Sequence, residues 1–208
     1  TCFVCQEISL HVKLQEEYRM SECEVYVVLP NGDVEIAFGL KNSWLGAMFI
    51  WGKICEKYRL YQEALLPGEI RKEGYHGGRA LLDGFRQLFD LVPELPKGDR
   101  ILVESTCDGA IVPKEKFPEF ISALRDFSEK YPGGHQSILA DEIEKLAPDI
   151  RGVCFNQTSV NDSPWMLYRG YDEETEEHAT SRPINIDTDN EDNNGRELFF
   201  VQDAEEEK

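Results

Sequence analysis

Long apolar runs are missing from this 208-residue chain. No stretch approaches the ~18 consecutive apolar residues a membrane span needs, and no basic segment precedes an apolar one at the start. The expectation is a soluble, cytoplasmic protein without a secretory address. Positive charge is also scarce, with 22 Lys and Arg against 40 Asp and Glu, for a formal charge of −18. Such a field repels phosphate backbones and anionic lipid, which argues against nucleic acid or membrane partners.

Cysteine is too sparse for a disulfide scaffold. Six residues, Cys2, Cys5, Cys23, Cys55, Cys107 and Cys154, are scattered over the chain. Small secreted scaffolds are shorter and denser in cysteine. Cys55 and Cys154 sit among apolar neighbours, where a thiol usually serves as a small buried hydrophobe. All six are expected to be free under reducing conditions. Cys2 and Cys5 form a lone C-x-x-C, which lacks the second pair of a zinc ribbon and the strand-to-helix setting of a redox pair. Walker loops, dinucleotide fingerprints, G-x-S-x-G elbows and H-E-x-x-H helices are absent from the sequence as well. No cofactor and no metal are expected.

What the chain does contain is 41% hydrophobic residues, enough for a sizeable core. Ile8, Leu10, Val12 and Leu14 alternate with polar residues as in a half-buried strand. Glu24–Leu29 and Val34–Phe38 flank Pro30-Asn31-Gly32-Asp33, which predicts an antiparallel hairpin with a type I′ turn at Asn31-Gly32. Helical spacing covers Trp44–Leu60, Arg79–Leu91, Lys114–Lys130 and Ser137–Leu146, with Trp51, Phe85 and Phe120 expected in the principal core. Ile101–Val103 reads as a strand that forms a second hairpin with Ala110–Val112 through the Cys107-Asp108-Gly109 turn. Val153–Phe155 and Trp165–Tyr168 read as further strands. Strand pairs separated by helices point to an α+β fold, a mixed or mainly antiparallel sheet packed on about four helices.

Charge divides the chain unevenly. Residues 172–208 hold 14 Asp or Glu and 3 Lys or Arg, so −11 of the −18 lies there and only −7 in residues 1–171. This predicts a single α+β domain over 1–171 followed by a largely flexible acidic tail. Asp172–Asn194 carries too little apolar surface to offset the entropy of ordering, so it is expected to stay solvated. The apolar island Leu198–Val201 is the exception, a candidate for docking as an edge strand.

Candidate chemistry is thin. Cys107 beside Asp108, with His76 and His135 in glycine-rich loops, contains the residue types of a thiol nucleophile with an imidazole base and an orienting acid. Asp-Gly turns and histidines in glycine-rich loops are common in purely structural settings. Gly74-Tyr75-His76-Gly77-Gly78-Arg79 precedes a helix and could offer backbone N–H groups to an anion, yet it lacks the preceding strand and the Lys-Ser/Thr ending of a phosphate loop. Asp187, Asp189, Glu191 and Asp192 resemble a calcium loop, but the sixth position from Asp187 is Asp192 where glycine belongs and the twelfth is Leu198 where glutamate belongs.

By elimination, the sequence is read as a non-enzymatic interaction protein whose field speeds encounter with a basic protein partner. The specific expectation is a bacterial immunity or inhibitor protein neutralising a toxin or nuclease. Asp172, Glu173, Glu174, Glu176 and Glu177 are its candidate partner-binding residues. The alternative is a small thiol-dependent hydrolase using Cys107.

Overall fold

A computed structural model of the chain describes residues 22–41, 46–60, 86–107, 109–156, 163–168, 181–189 and 198–202. The strands are β1 (Glu22–Val28), β2 (Val34–Lys41), β3 (Ala110–Pro113), β4 (Gly152–Asn156), β5 (Met166–Tyr168), β6 (Ser181–Pro183) and β7 (Phe199–Phe200). The helices are α1 (Ala47–Tyr58), α2 (Lys97–Glu104), α3 (Phe117–Lys130) and α4 (Gln136–Leu146), with a further helical stretch at 86–91. Among the described residues, five strands form one sheet in the order β2-β1-β4-β3-β7, and β5 and β6 form a second, two-stranded sheet. Neighbours in the large sheet are antiparallel except β3 and β7, which run parallel. The fold is α+β with a mixed sheet, as the separated strand pairs imply.

Side chains alternate across a strand, so the continuous apolar run Val25–Val28 must serve two faces. Val25 and Val27 join Val112, Val153 and Phe155 against Ile54, Phe120 and Leu124 of the helices. Tyr26 and Val28 join Val34, Ile111 and Cys154 on the other face, where Trp165, Leu167, Ile184 and Ile186 cover them. Helices therefore cover one side of the sheet, and the small sheet with its flanking chain covers the other.

The first hairpin forms where expected, but its turn differs. Leu29 N–H donates to Asp33 O at 2.8 Å and Gly32 N–H to Leu29 O at 3.0 Å, enclosing a three-residue loop, Pro30-Asn31-Gly32. Only Gly32 lies in the left-handed region, with φ +86°, whereas a type I′ turn would require Asn31 there too. The reason is Pro30, whose fixed φ suits the second position of a type I turn and draws it into the loop, leaving glycine to complete a bulged hairpin. A side chain at Gly32 would collide with the Asp187 carboxylate and with Asn185 Oδ1, 2.8 Å from where a Cβ would sit.

The second hairpin does not exist. Ile101–Val103 belongs to α2, following Pro96, which occupies the N-cap position. A three-residue apolar run carries no period that separates strand from helix. All three residues are buried because α2 is enclosed by its surroundings. Gly109, with φ +84°, turns the chain out of α2 into β3, whose sheet neighbours are β4 and β7.

Phe120 is fully buried as expected, whereas Trp51 is only partly buried at the core margin. Its ring packs edge-on to Phe89 at 5.5 Å, and its Nε1–H donates to Thr106 Oγ1 at 2.6 Å. Phe85 and the strand expected around Ile8–Leu14 lie outside the described residues. So do Cys2, Cys5, Gly74–Arg79 and Trp44.

The expectation that Asp172–Asn194 stays solvated is corrected over residues 181–189. Ile184 and Ile186 are buried there, and Arg182 makes two 2.7 Å bonds to the Asp189 carboxylate. High local charge concealed two isoleucines spaced to face the same way, and intramolecular ion pairing satisfied the charges beside them. Further on, Phe199 N–H donates to Gly109 O at 3.0 Å and Val201 N–H to Ile111 O at 2.9 Å, adding β7 beside β3. Deleting residues 172–208 should therefore lower the urea midpoint markedly, since it uncovers Val28, Val34 and Ile111. Unchanged unfolding of the truncated chain would contradict this packing.

Candidate functional site

In sequence, the segment that carries the five candidate acids lies between the two strands of the small sheet. Trp165 is wholly buried, donating from Nε1 to Phe155 O at 2.9 Å and from its backbone N–H to Ser163 Oγ at 3.2 Å. Ile184 N–H donates to Trp165 O at 3.0 Å, Val34 N–H to Ile184 O at 2.9 Å, and Ile186 N–H to Gly32 O at 2.9 Å. This ladder ties β5 and β6 to the end of the first hairpin. Across the pair, Met166 faces Pro183, Leu167 faces Arg182 and Tyr168 faces Ser181.

Residues 169–180 thus connect two neighbouring antiparallel strands. Directly opposed residues in such a pair have Cα atoms only ~4.5–5.5 Å apart. Asp172, Glu173, Glu174, Glu176 and Glu177 all fall within 169–180 in sequence and lie outside the described residues.

Beside this sheet, the turn 185–189 is held by side chains. Asn185 Nδ2 donates to Asp33 Oδ1 at 2.8 Å and to Asn31 O at 3.1 Å, and Asn185 Oδ1 accepts from Asp187 N–H at 3.0 Å. Arg151 pairs with Asp187 at 2.6 and 3.2 Å, and this guanidinium holds the Asp187 carboxyl below its ordinary value. Asp189 accepts from Arg182 and from Asn185 N–H. The two described carboxylates of the calcium-like stretch are thus engaged by arginines and backbone, and among the described residues no group of three or more His, Cys, Asp or Glu is placed to hold a metal.

Of the thiol candidates, Cys107 and His135 are among the described residues. Cys107 is partly exposed, its Sγ 3.8 Å from Val103 O. His135 precedes α4 and lines a narrow apolar cavity with Cys23, Ser105, Thr106, Phe120 and Gln136; Cys107 is not among the residues lining it. His76 and Asp108 lie outside the described residues. Burial pushes the thiols of Cys23 and Cys55 up to about 12, and that of Cys154 well above its ordinary value. Cys23, Cys55, Cys107 and Cys154 are all free of disulfides.

Two features escaped sequence reasoning. A cavity of about 240 Å3 lies between α1, α2 and α3, lined by Lys57, Gly98, Asp99, Phe127, Lys130 and Tyr131 among others. Asp99 Oδ2 accepts from Tyr58 Oη at 2.6 Å and pairs with Lys57, while Lys53 and Lys130 lie 5.6 and 5.2 Å from the Tyr131 ring centre. No sequence pattern joins residues from three separate helices. The second feature is Glu104, whose Oε1 accepts from Arg100 Nε at 2.8 Å while Oε2 is buried with no hydrogen-bond partner among the described residues. Burial raises its pKa, with Arg100 acting in the opposite direction.

Two outcomes are expected. Under brief iodoacetamide treatment of the folded protein, Cys107 should alkylate before Cys23, Cys55 and Cys154, which react only after denaturation. Peptide mapping reads the order directly. For Glu104, the raised folded-state pKa means that its contribution to stability is present at acid pH and lost as pH rises through that raised value. Glu104→Gln should remove this loss, so that its stability relative to the native chain improves as pH rises above the ordinary glutamate range. Urea midpoints over that rise in pH, parallel for the two proteins, would contradict it.

No protein-family model, curated protein or solved structure matches the chain.

Proposed function

We propose that the protein is a non-enzymatic binder of a basic protein partner, acting as a bacterial immunity or inhibitor protein that neutralises a cytoplasmic toxin or nuclease. The observation that supports this reading is the charge imbalance, −18 overall with −11 in residues 172–208. Asp172, Glu173, Glu174, Glu176 and Glu177 fall within six consecutive positions of the sequence, so their charges act together on an approaching cationic partner.

The physics of such an encounter separates its rates. Charge complementarity accelerates association, while close contacts made afterwards govern dissociation. Asp172, Glu173, Glu174, Glu176 and Glu177 are the proposed steering residues. Their effect should fade as the Debye length falls from ~30 Å at 0.01 M salt to ~10 Å at 0.1 M.

The test begins with the basic protein retained by the full chain at low salt, followed by stopped-flow association over a salt series. Association should slow with salt, and neutralising the five acids to Asn and Gln should slow it by about tenfold or more at low salt. The partner's own activity should fall on binding. An on-rate indifferent both to salt and to the five substitutions would sink the electrostatic reading.

A further inference from the structure

The cleft of about 240 Å3 between α1, α2 and α3 is lined by described residues. Leu102, Ala123 and Phe127, all buried, give it an apolar floor. Its charged side chains form two sets of opposite sign, and the two sets are used differently. Lys57 is joined to Asp99, whose Oδ2 also accepts from Tyr58 Oη at 2.6 Å. Asp126 and Lys130 stand one turn apart on α3, a spacing at which an acid and a lysine ordinarily pair. Both are exposed, yet among the described residues neither makes an ion pair with the other or with a third group. Lys130 rests over the Tyr131 ring, 5.2 Å from its centre, a contact that positions the ammonium without spending its charge or its donors. The Lys57–Asp99 wall is internally neutral. What the cleft keeps to offer is one carboxylate and one ammonium, about 5–6 Å apart at their Cβ atoms.

We propose that this cleft binds a small aliphatic α-amino acid as its zwitterion. The ligand's ammonium donates to the Asp126 carboxylate, its carboxylate accepts from Lys130 Nζ, and its side chain covers Leu102, Ala123 and Phe127. Charge, size and polarity each narrow the class. A simple anion or cation would answer only one of the two charges on α3, whereas a zwitterion answers both and adds no net charge to a recess where Lys57, Asp99, Asp126 and Lys130 cancel. Pockets for drug-sized ligands run to ~300–1,000 Å3, so this cleft suits a smaller molecule, of about leucine's size. An aliphatic side chain gains by covering the floor, while a charged one would lose its water there without a partner. Neither the acids at 172–177 nor a basic protein takes part in this site.

The probe is L-leucine, titrated into the full-length chain beside 3-methylbutylamine, which lacks the carboxylate, and 4-methylpentanoate, which lacks the ammonium. Backbone amide NMR signals of Gly98 and Phe127, on opposite walls of the cleft, report where each ligand sits. Leucine at up to about 10 mM should shift both signals, and each analogue should bind about tenfold more weakly or worse. Lys130→Gln should weaken leucine about tenfold and leave 3-methylbutylamine unchanged; Asp126→Asn should weaken leucine similarly and leave 4-methylpentanoate unchanged. Unfolding midpoints should not move, because both side chains are exposed. The comparison of the three ligands uses the native chain and stands even if a variant misfolds. Binding of either analogue as tightly as leucine would overturn the zwitterion assignment, and a loss shared equally by all three ligands in either variant would overturn the roles of Asp126 and Lys130. Leucine binding that leaves Gly98 and Phe127 unshifted would overturn the site, and absence of leucine binding would overturn the proposal as a whole.

Discussion

β1 cannot be wetted on either side. Val25 and Val27 face the helices, Tyr26 and Val28 face the small sheet, and all four are buried. A strand with two apolar faces requires a covering layer on each, and this requirement assigns the rest of the chain its work. Helices α1 to α4 supply one layer. The other comes from residues 163–168 and 181–189, most of all from Trp165, Leu167, Ile184 and Ile186. Without that second layer, Tyr26, Val28, Val34 and Ile111 would meet water.

The same requirement explains how an acidic segment becomes part of the body. Charge by itself favours solvation, but Ile184 and Ile186 gain by burial and Arg151 and Arg182 take up the neighbouring carboxylates. Most of these ion pairs are exposed and contribute little stability individually. Their consequence is geometric, since they orient the 185–189 turn against the first hairpin.

The two ends of the large sheet differ in kind. β2 is long but carries an extra residue at Ala37, whereas β7 is short, regular and bordered by exposed phenylalanines. Parallel addition of β7 to β3 is a late pairing in sequence terms, joining residue 110 to residue 199. It adds a C-terminal segment of the chain to the sheet beside β3.

Elements with a strong local signal were legible before any coordinates. The first hairpin, α3 with Phe117, Phe120, Leu124 and Phe127 in its stripe, α4 and the Leu198–Val201 strand all declare themselves through period, turn residues or an isolated apolar run. Short or mixed signals failed. Ile101–Val103 could not be told from a strand because three apolar residues have no period, and the Asn31 conformation was misjudged because Pro30 changed the loop length. For the candidate site, sequence located the acids and their imbalance of charge. It could not reveal that Tyr168 and Ser181 pair across them, nor that Cys107 is absent from the cavity that His135 lines. Composition and local periodicity thus determined the charge, the class of fold and most helices, since these depend on residues close together in the chain. Strand order and the two-sided burial of the sheet were decided only by tertiary structure, because each depends on contacts between residues far apart in sequence.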